Sequence, residues 1–147
     1  MKSKLYIPLI FTFIYISFGC KTPSNVEYPE LLVKLILDRY SYSVGDTLSG
    51  QFTVINIGSD DKTFNFGSSC QYGIRIKNNF KIHRDFPEAC LAVLTSLHIK
   101  SGESKSFSIR LKLMDRDCNN LNAGRYTIQA FLLIDNHGIA EKIIDIK

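Results

Sequence analysis

SFSIRLKL, residues 106–113, alternates without a break. Phe107, Ile109, Leu111 and Leu113 fall on one side, and Ser106, Ser108, Arg110 and Lys112 on the other. Successive side chains of a strand point to opposite faces, so this period of two predicts a strand with one dry and one wet face. The flanking segments repeat it. GRYTIQAFLL, residues 124–133, turns Tyr126, Ile128, Ala130 and Leu132 inward, and LAVLTSLHI, residues 91–99, reads as one long strand with Leu91, Val93, Leu97 and Ile99 in and His98 out. Upstream, VKLILD groups Val33, Leu35 and Leu37; QFTVIN groups Phe52 and Val54; TFNF groups Phe64 and Phe66; YGIRI groups Tyr72, Ile74 and Ile76. FKIH, residues 80–83, is a short strand, and IAEKIIDIK, residues 139–147, a final strand running to the last residue.

Between these runs lie turn residues: SVGD around Gly45, GSDDK at 58–62, KNN at 77–79, KSGES around Gly102 and DNHG at 135–138. DFPEAC, residues 85–90, is a loop, because Pro87 cannot serve a central strand. DRDCNNLNAG, residues 115–124, is a long polar connection. No stretch shows sustained helical periodicity. Strands of five to ten residues separated by Gly, Asn and Asp turns predict an all-β fold, a single immunoglobulin-like antiparallel β-sandwich over residues 31–147. AGRY, residues 123–126, fits a tyrosine corner, in which Tyr126 bonds back to upstream backbone.

Residues 1–19 stand apart from that fold. Lys2 and Lys4 precede an uncharged apolar run, LYIPLIFTFIYISF at 5–18, interrupted by Pro8. The run is short for a bilayer span, which needs ~20 apolar residues, and suits the core of a secretion signal. SFGC at 17–20 resembles the lipobox of bacterial lipoproteins, with Ser17 where that pattern usually has Leu. The resemblance implies cleavage before Cys20, which then becomes the first residue of the mature protein and carries the acyl chains. The other reading is an ordinary cleaved signal with an incidental cysteine. Residues 20–30, rich in polar residues and carrying Pro23 and Pro29, then form a tether. Lys21, in the sorting position of enteric lipoproteins, favours the outer membrane and its periplasmic face.

Loss of residues 1–19 leaves 128 of the 147 residues, and loss of Lys2 and Lys4 lowers the formal charge from +4 to +2. That balance gives no reason to expect a nucleic-acid partner. Cys70, Cys90 and Cys118 remain. An oxidising compartment permits one bridge among them, in any of three pairings, or three free thiols. Cys70–Cys90 is favoured, since each lies at a strand boundary.

Catalytic and metal chemistry finds no pattern. His83, His98 and His137 lie on separate strands or turns, without the spacing of a zinc site or of a base beside a nucleophile. Asp115, Asp117 and Asn119 resemble the start of a calcium loop, but Asn120 and Tyr126 stand where that loop wants Gly and Glu. The alternative is a polar loop whose Asp and Asn side chains bond nearby backbone. No cofactor is expected.

The order of the strand motifs resembles the BsuPI-type intracellular proteinase inhibitor family. FTVINIG places Asn56 at the family's strand-ending Asn. TFNFGSSCQYGIRI matches through Phe66, Ser68, Gln71 and Tyr72; SGESKSFSIRL through Gly102, Glu103 and Phe107; AGRYTIQAFL through Gly124 and Tyr126. Ser101 and Ala123 stand where the family tends to have Pro. The resemblance implies a non-enzymatic protein-binding sandwich and a proteinase as partner, but carries over no inhibitory loop. The two longest loops, 83–90 and 115–123, are the places to look, with Phe86, Pro87, Glu88, Asn119 and Asn120 as contact residues. The alternative is an accessory lipoprotein that scaffolds an envelope complex through a sheet edge, for which the final strand is suited.

Overall fold

The computed structural model describes residues 30–134 and 138–147. The signal and tether expectations, Cys20 and His137 fall outside them. Ten strands follow in order: β1 Leu31–Leu37, β2 Ser41–Tyr42, β3 Thr47–Asn56, β4 Lys62–Phe66, β5 Tyr72–Asn78, β6 Lys81–Phe86, β7 Thr95–Ile99, β8 Ser104–Lys112, β9 Gly124–Leu132 and β10 Ala140–Ile146. They form one sheet of order β1-β3-β8, a second of order β2-β10-β9-β5-β6, and a two-stranded β4-β7 pair. Every pairing is antiparallel except β2 with β10, which is parallel over two residues.

The apolar face of each strand meets those of the others in one core. Leu35, Leu37, Leu48, Phe52, Val54, Ile109 and Leu111 come from the first sheet, and Ile74, Ile76, Ile128, Ala130, Leu132, Ile144 and Ile146 from the second. Phe64, Phe66, Leu97 and Ile99 of the β4-β7 pair close it. This is the all-β, immunoglobulin-like sandwich that the alternation predicts. The SVGD turn has Gly45 at φ +85°, a conformation that favours glycine. Gly50 has a different reason. A Cβ there would lie 2.4 Å from the carbonyl oxygen of Ile36, so only glycine lets β1 approach β3 this closely. The tyrosine corner is present, with the Tyr126 hydroxyl donating to the Asn122 carbonyl at 3.0 Å.

Asn56 is the most deeply buried polar residue among those described. It is fully buried, its amide nitrogen donates to the carbonyls of Asp60 (2.8 Å) and Ile99 (3.0 Å), and its amide oxygen accepts the Gly58 N–H (3.1 Å). One side chain thus joins the end of β3, the turn into β4 and the end of β7.

One sequence expectation is corrected. The strand read over 91–99 begins only at Thr95, and Leu91 and Val93 point to solvent instead of the core. Pro87 has no N–H for the β6 ladder, and the bridge at Cys90 draws the chain aside, so alternation there has no sheet to register against. The final strand, β10, pairs with β9 along its whole length, while on its other side β2 covers it only at Asp145 and Ile146.

Candidate functional site

The chain leaves the β-ladder at the end of β6 and rejoins it at β7. Residues 87–94 bridge the gap, riding on residues 68–70, which link β4 to β5. A disulfide joins Cys70 to Cys90, with Cα atoms 5.6 Å apart. Next to it, the Ser69 N–H donates to the Leu91 carbonyl and the Leu91 N–H to Ser69 Oγ, both at 3.0 Å. The Val93 N–H also donates to the Leu91 carbonyl (2.9 Å). At the far foot, Thr95 Oγ1 donates to the Ser68 carbonyl at 2.7 Å, and Gln71 Nε2 to the Ser96 carbonyl at 3.1 Å. Three consecutive residues, Ser68, Ser69 and Cys70, therefore hold both feet of the loop, and Ala92, Val93 and Leu94 stand out between them.

That protrusion is apolar. Leu91 is 74% exposed, Val93 48% and Leu94 85%. A single exposed apolar residue needs no explanation; here three are clustered on one tethered loop. Beneath the loop, a cleft of about 360 Å³ opens between β5/β6 and β8, lined by Tyr72, Ile74, Phe86, Pro87, Phe107 and Ile109 among others. Tyr72 stacks on Phe107 (centroids 4.6 Å apart) and donates its hydroxyl to the Ser108 carbonyl at 3.1 Å, so the two sheets are tied across the mouth.

The structure places the predicted contact residues as follows. Phe86 is the last residue of β6 and lines the cleft; Pro87 follows through a cis peptide bond; Glu88 is exposed and ion-paired with Arg84. Arg84 itself is only 9% exposed. Its guanidinium lies 4.6 Å from the centre of the Phe86 ring and donates to the Asp115 carbonyl at 3.1 Å. Arg116 pairs with Asp85 (3.5 Å). Arg84 and Arg116 thus bring together the two loops that the sequence singles out. The second loop is occupied with its own turn. The Asp115 carboxylate accepts the N–H groups of Asp117 (3.0 Å) and Asn119 (2.9 Å), and the backbone bond from Asn119 first of all holds its pKa below the ordinary carboxylate value. Asn119 also donates its side-chain amide to Asp115, and Asn120 packs on Gly45 and bridges to Met114. This is the polar loop with Asp and Asn bonded to local groups; Cys118 in it is exposed, unbridged and at φ +63°.

The sequence reading missed Leu91, Val93 and Leu94 as site residues. A signal was there. Ala92 and Leu94 are apolar on what would be the wet face, so four apolar residues in a row break the period of two.

The histidines offer less. His83 makes a T-shaped contact with Tyr126 (centroids 5.3 Å apart) and lies 2.8 Å from Asn78 Oδ1; burial first, then the Lys81 charge, pushes its pKa below the ordinary value. His98 lies 3.0 Å from Thr63 Oγ1 and 3.6 Å from Asp61, an order of groups reminiscent of a triad. Thr63 and His98 are cross-strand partners in β4-β7, which accounts for the contact. All three are exposed, so no desolvated surroundings sharpen the hydroxyl. Among the described residues no group of three or more His, Cys, Asp or Glu is placed to hold a metal ion.

No curated protein sequence matches the chain. Solved structures do. The alkylpurine DNA glycosylase AlkC of Pseudomonas fluorescens superposes at TM-score 0.54 and 9% identity, over 80% of this chain and 30% of that one. A β-glucosidase from Erythrobacter marinus superposes at 0.51 and 16%, over 80% and 15%. A CARDB domain from Pyrococcus furiosus gives 0.47 and 15%, over 84% and 95%. The chain spans less than a third of the glycosylase and the glucosidase, and at these identities the likeness is one of fold. A family model described as BsuPI, intracellular proteinase inhibitor, matches residues 35–137, more than half the chain. The match takes in β3 to β9 and both feet of the disulfide loop, and the chain belongs to the BsuPI intracellular proteinase inhibitor family.

Proposed function

We propose that this protein is a lipid-anchored, non-enzymatic envelope protein that inhibits a proteinase by inserting residues 87–94 into its cleft. The observation that carries the reading is the apolar protrusion Leu91–Leu94, held at both feet by Ser68–Cys70. Burying each of Leu91, Val93 and Leu94 in a partner is worth about 1.5–3 kcal/mol before the costs of association. The tether lowers one of those costs, because a loop already held in shape loses less freedom on binding. Family membership supports a proteinase as the class of partner.

The family description says intracellular. Two features support an exported chain. The SFGC motif closes an apolar run of signal-peptide length, and the Cys70–Cys90 bridge is of a kind that persists in oxidising compartments. Anchoring is through Cys20, with Lys21 favouring the periplasmic face of an outer membrane.

The test is a cross-linking pull-down of the full-length chain from the host envelope, followed by assay of any captured proteinase. Capture of a proteinase and loss of its activity are expected. A variant with Leu91, Val93 and Leu94 all changed to Ser should keep its far-UV spectrum and lose the inhibition. Inhibition undiminished in that variant would refute the loop as the inhibitory element. For the anchor, metabolic labelling with palmitate should mark the native chain and not Cys20→Ser; equal labelling of both would refute acylation there.

A further inference from the structure

We infer that Leu94 is the residue that fills the proteinase's primary specificity pocket, that the enzyme addresses the Leu94–Thr95 bond, and that the target is therefore an endoproteinase with an apolar pocket. This rests on the inhibitory reading above and adds to it the bond and the class of enzyme.

The placement of the tethers selects the bond. Leu91 has both backbone groups engaged: its N–H goes to Ser69 Oγ, and its carbonyl accepts from Ser69 and Val93. An enzyme that recognises main chain would have to break these bonds to use Leu91, which makes it a strut. Leu94 is the most exposed of the three large side chains and lies between the tethers. On its N-terminal side are the Cys90 bridge and the Leu91 bonds. On its C-terminal side, Thr95 is bonded to Ser68 and paired with Phe66 in β4-β7.

Tethers on both sides explain how attack at this bond leads to inhibition. In hydrolysis, water gives its hydroxyl to the Leu94 carbonyl carbon, the C–N bond breaks, and a proton passes to the Thr95 nitrogen. In an ordinary substrate the amine then diffuses away. Here Thr95 stays bound to Ser68 and to β4, while the chain ending at Leu94 stays bound through Leu91 and Cys90. The amine remains beside the acyl carbon at high effective concentration, and resynthesis, which returns the water, competes with release. Ser68–Cys70 is the common platform that keeps the two ends together. The aliphatic Leu94 side chain selects an apolar pocket; a pocket built around a buried carboxylate would lose its charged partner.

The experiment uses the full-length chain in detergent micelles against chymotrypsin, which takes large apolar residues, and trypsin, which takes basic ones. The native chain should inhibit chymotrypsin more tightly than trypsin by on the order of 100-fold, and Leu94→Arg should reverse that order. Leu91→Arg should leave it unchanged. Mass spectrometry after long incubation should find a cut between Leu94 and Thr95, with the two pieces comigrating until denaturant is added. If Leu91→Arg reverses the preference, or the cut falls at another bond, the assignment to Leu94 is overturned while inhibition stands. If neither the native chain nor Leu94→Arg inhibits either enzyme and the loop is simply degraded, the inhibitory reading falls, and this inference with it.

Discussion

Replacing Asn56 tests the interior polar junction directly. Its side chain makes three bonds, to the Asp60 and Ile99 carbonyls and from the Gly58 N–H, and is fully buried. At a net ~1 kcal/mol each, Asn56→Ala should cost about 3 kcal/mol, since the abandoned carbonyls and N–H regain only part of their hydration. Asn56→Asp is the sharper perturbation. It keeps the oxygen that accepts from Gly58 but turns a carboxylate oxygen toward two carbonyls, so at pH 7 it should be less stable than Asn56→Ala despite its near-identical shape. Burial and those carbonyls raise the introduced group's folded-state pKa above its unfolded value. A raised folded pKa means that stability is greatest below the unfolded value and is lost as pH rises through the folded one. The deficit of Asn56→Asp should therefore shrink on going from pH 7 toward pH 4. Guanidinium denaturation of the native chain and both variants at several pH values gives all three numbers. If Asn56→Asp matches or exceeds Asn56→Ala in stability at pH 7, the hydrogen-bond assignment of the amide is wrong.

Cys70→Ser with Cys90→Ser opens a bridge between residues 20 apart and should cost roughly 3 kcal/mol in the chain-entropy model, read as a lower denaturation midpoint; an unchanged midpoint would show that the platform holds the loop unaided. Tyr126→Phe removes the bond to Asn122 while keeping the ring packed, and should cost ~1 kcal/mol by the same measurement. His83 should titrate below 6.5 when its imidazole protons are followed by NMR. With its folded pKa depressed, the stability linked to it is present above pH 6.5 and lost as pH falls through the folded value; a titration above 6.5 would contradict its burial against Tyr126.

The inward residues of β3, β5, β8 and β9 were legible from alternation, because a strand's two faces differ in burial whatever its neighbours are. Tyr126 and Gly45 were legible from local motifs whose geometry is set within a few residues. The Cys70–Cys90 bridge was one of three pairings open to the sequence, and the fold selects it by bringing the β4–β5 link under the loop. Leu91 and Val93 misled, since a residue's parity says which face it would take in a strand and cannot say that a strand exists. The meeting of Arg84 with Asp115, 31 residues apart, left no trace in either segment.

By itself, then, the sequence determined an all-β chain, the dry face of most of its strands, its turns, and a family resemblance spread over those strands. Only the tertiary structure decided that β10 runs along β9 and meets β2 at its end, that Ser68–Cys70 carries both feet of one loop, and that Leu91–Leu94 stand in solvent. Alternation and turn preference act between neighbours along the chain, where each residue's own geometry enforces them. Sheet order and the loop's tethers depend on contacts between distant segments, which the packing of the whole core selects.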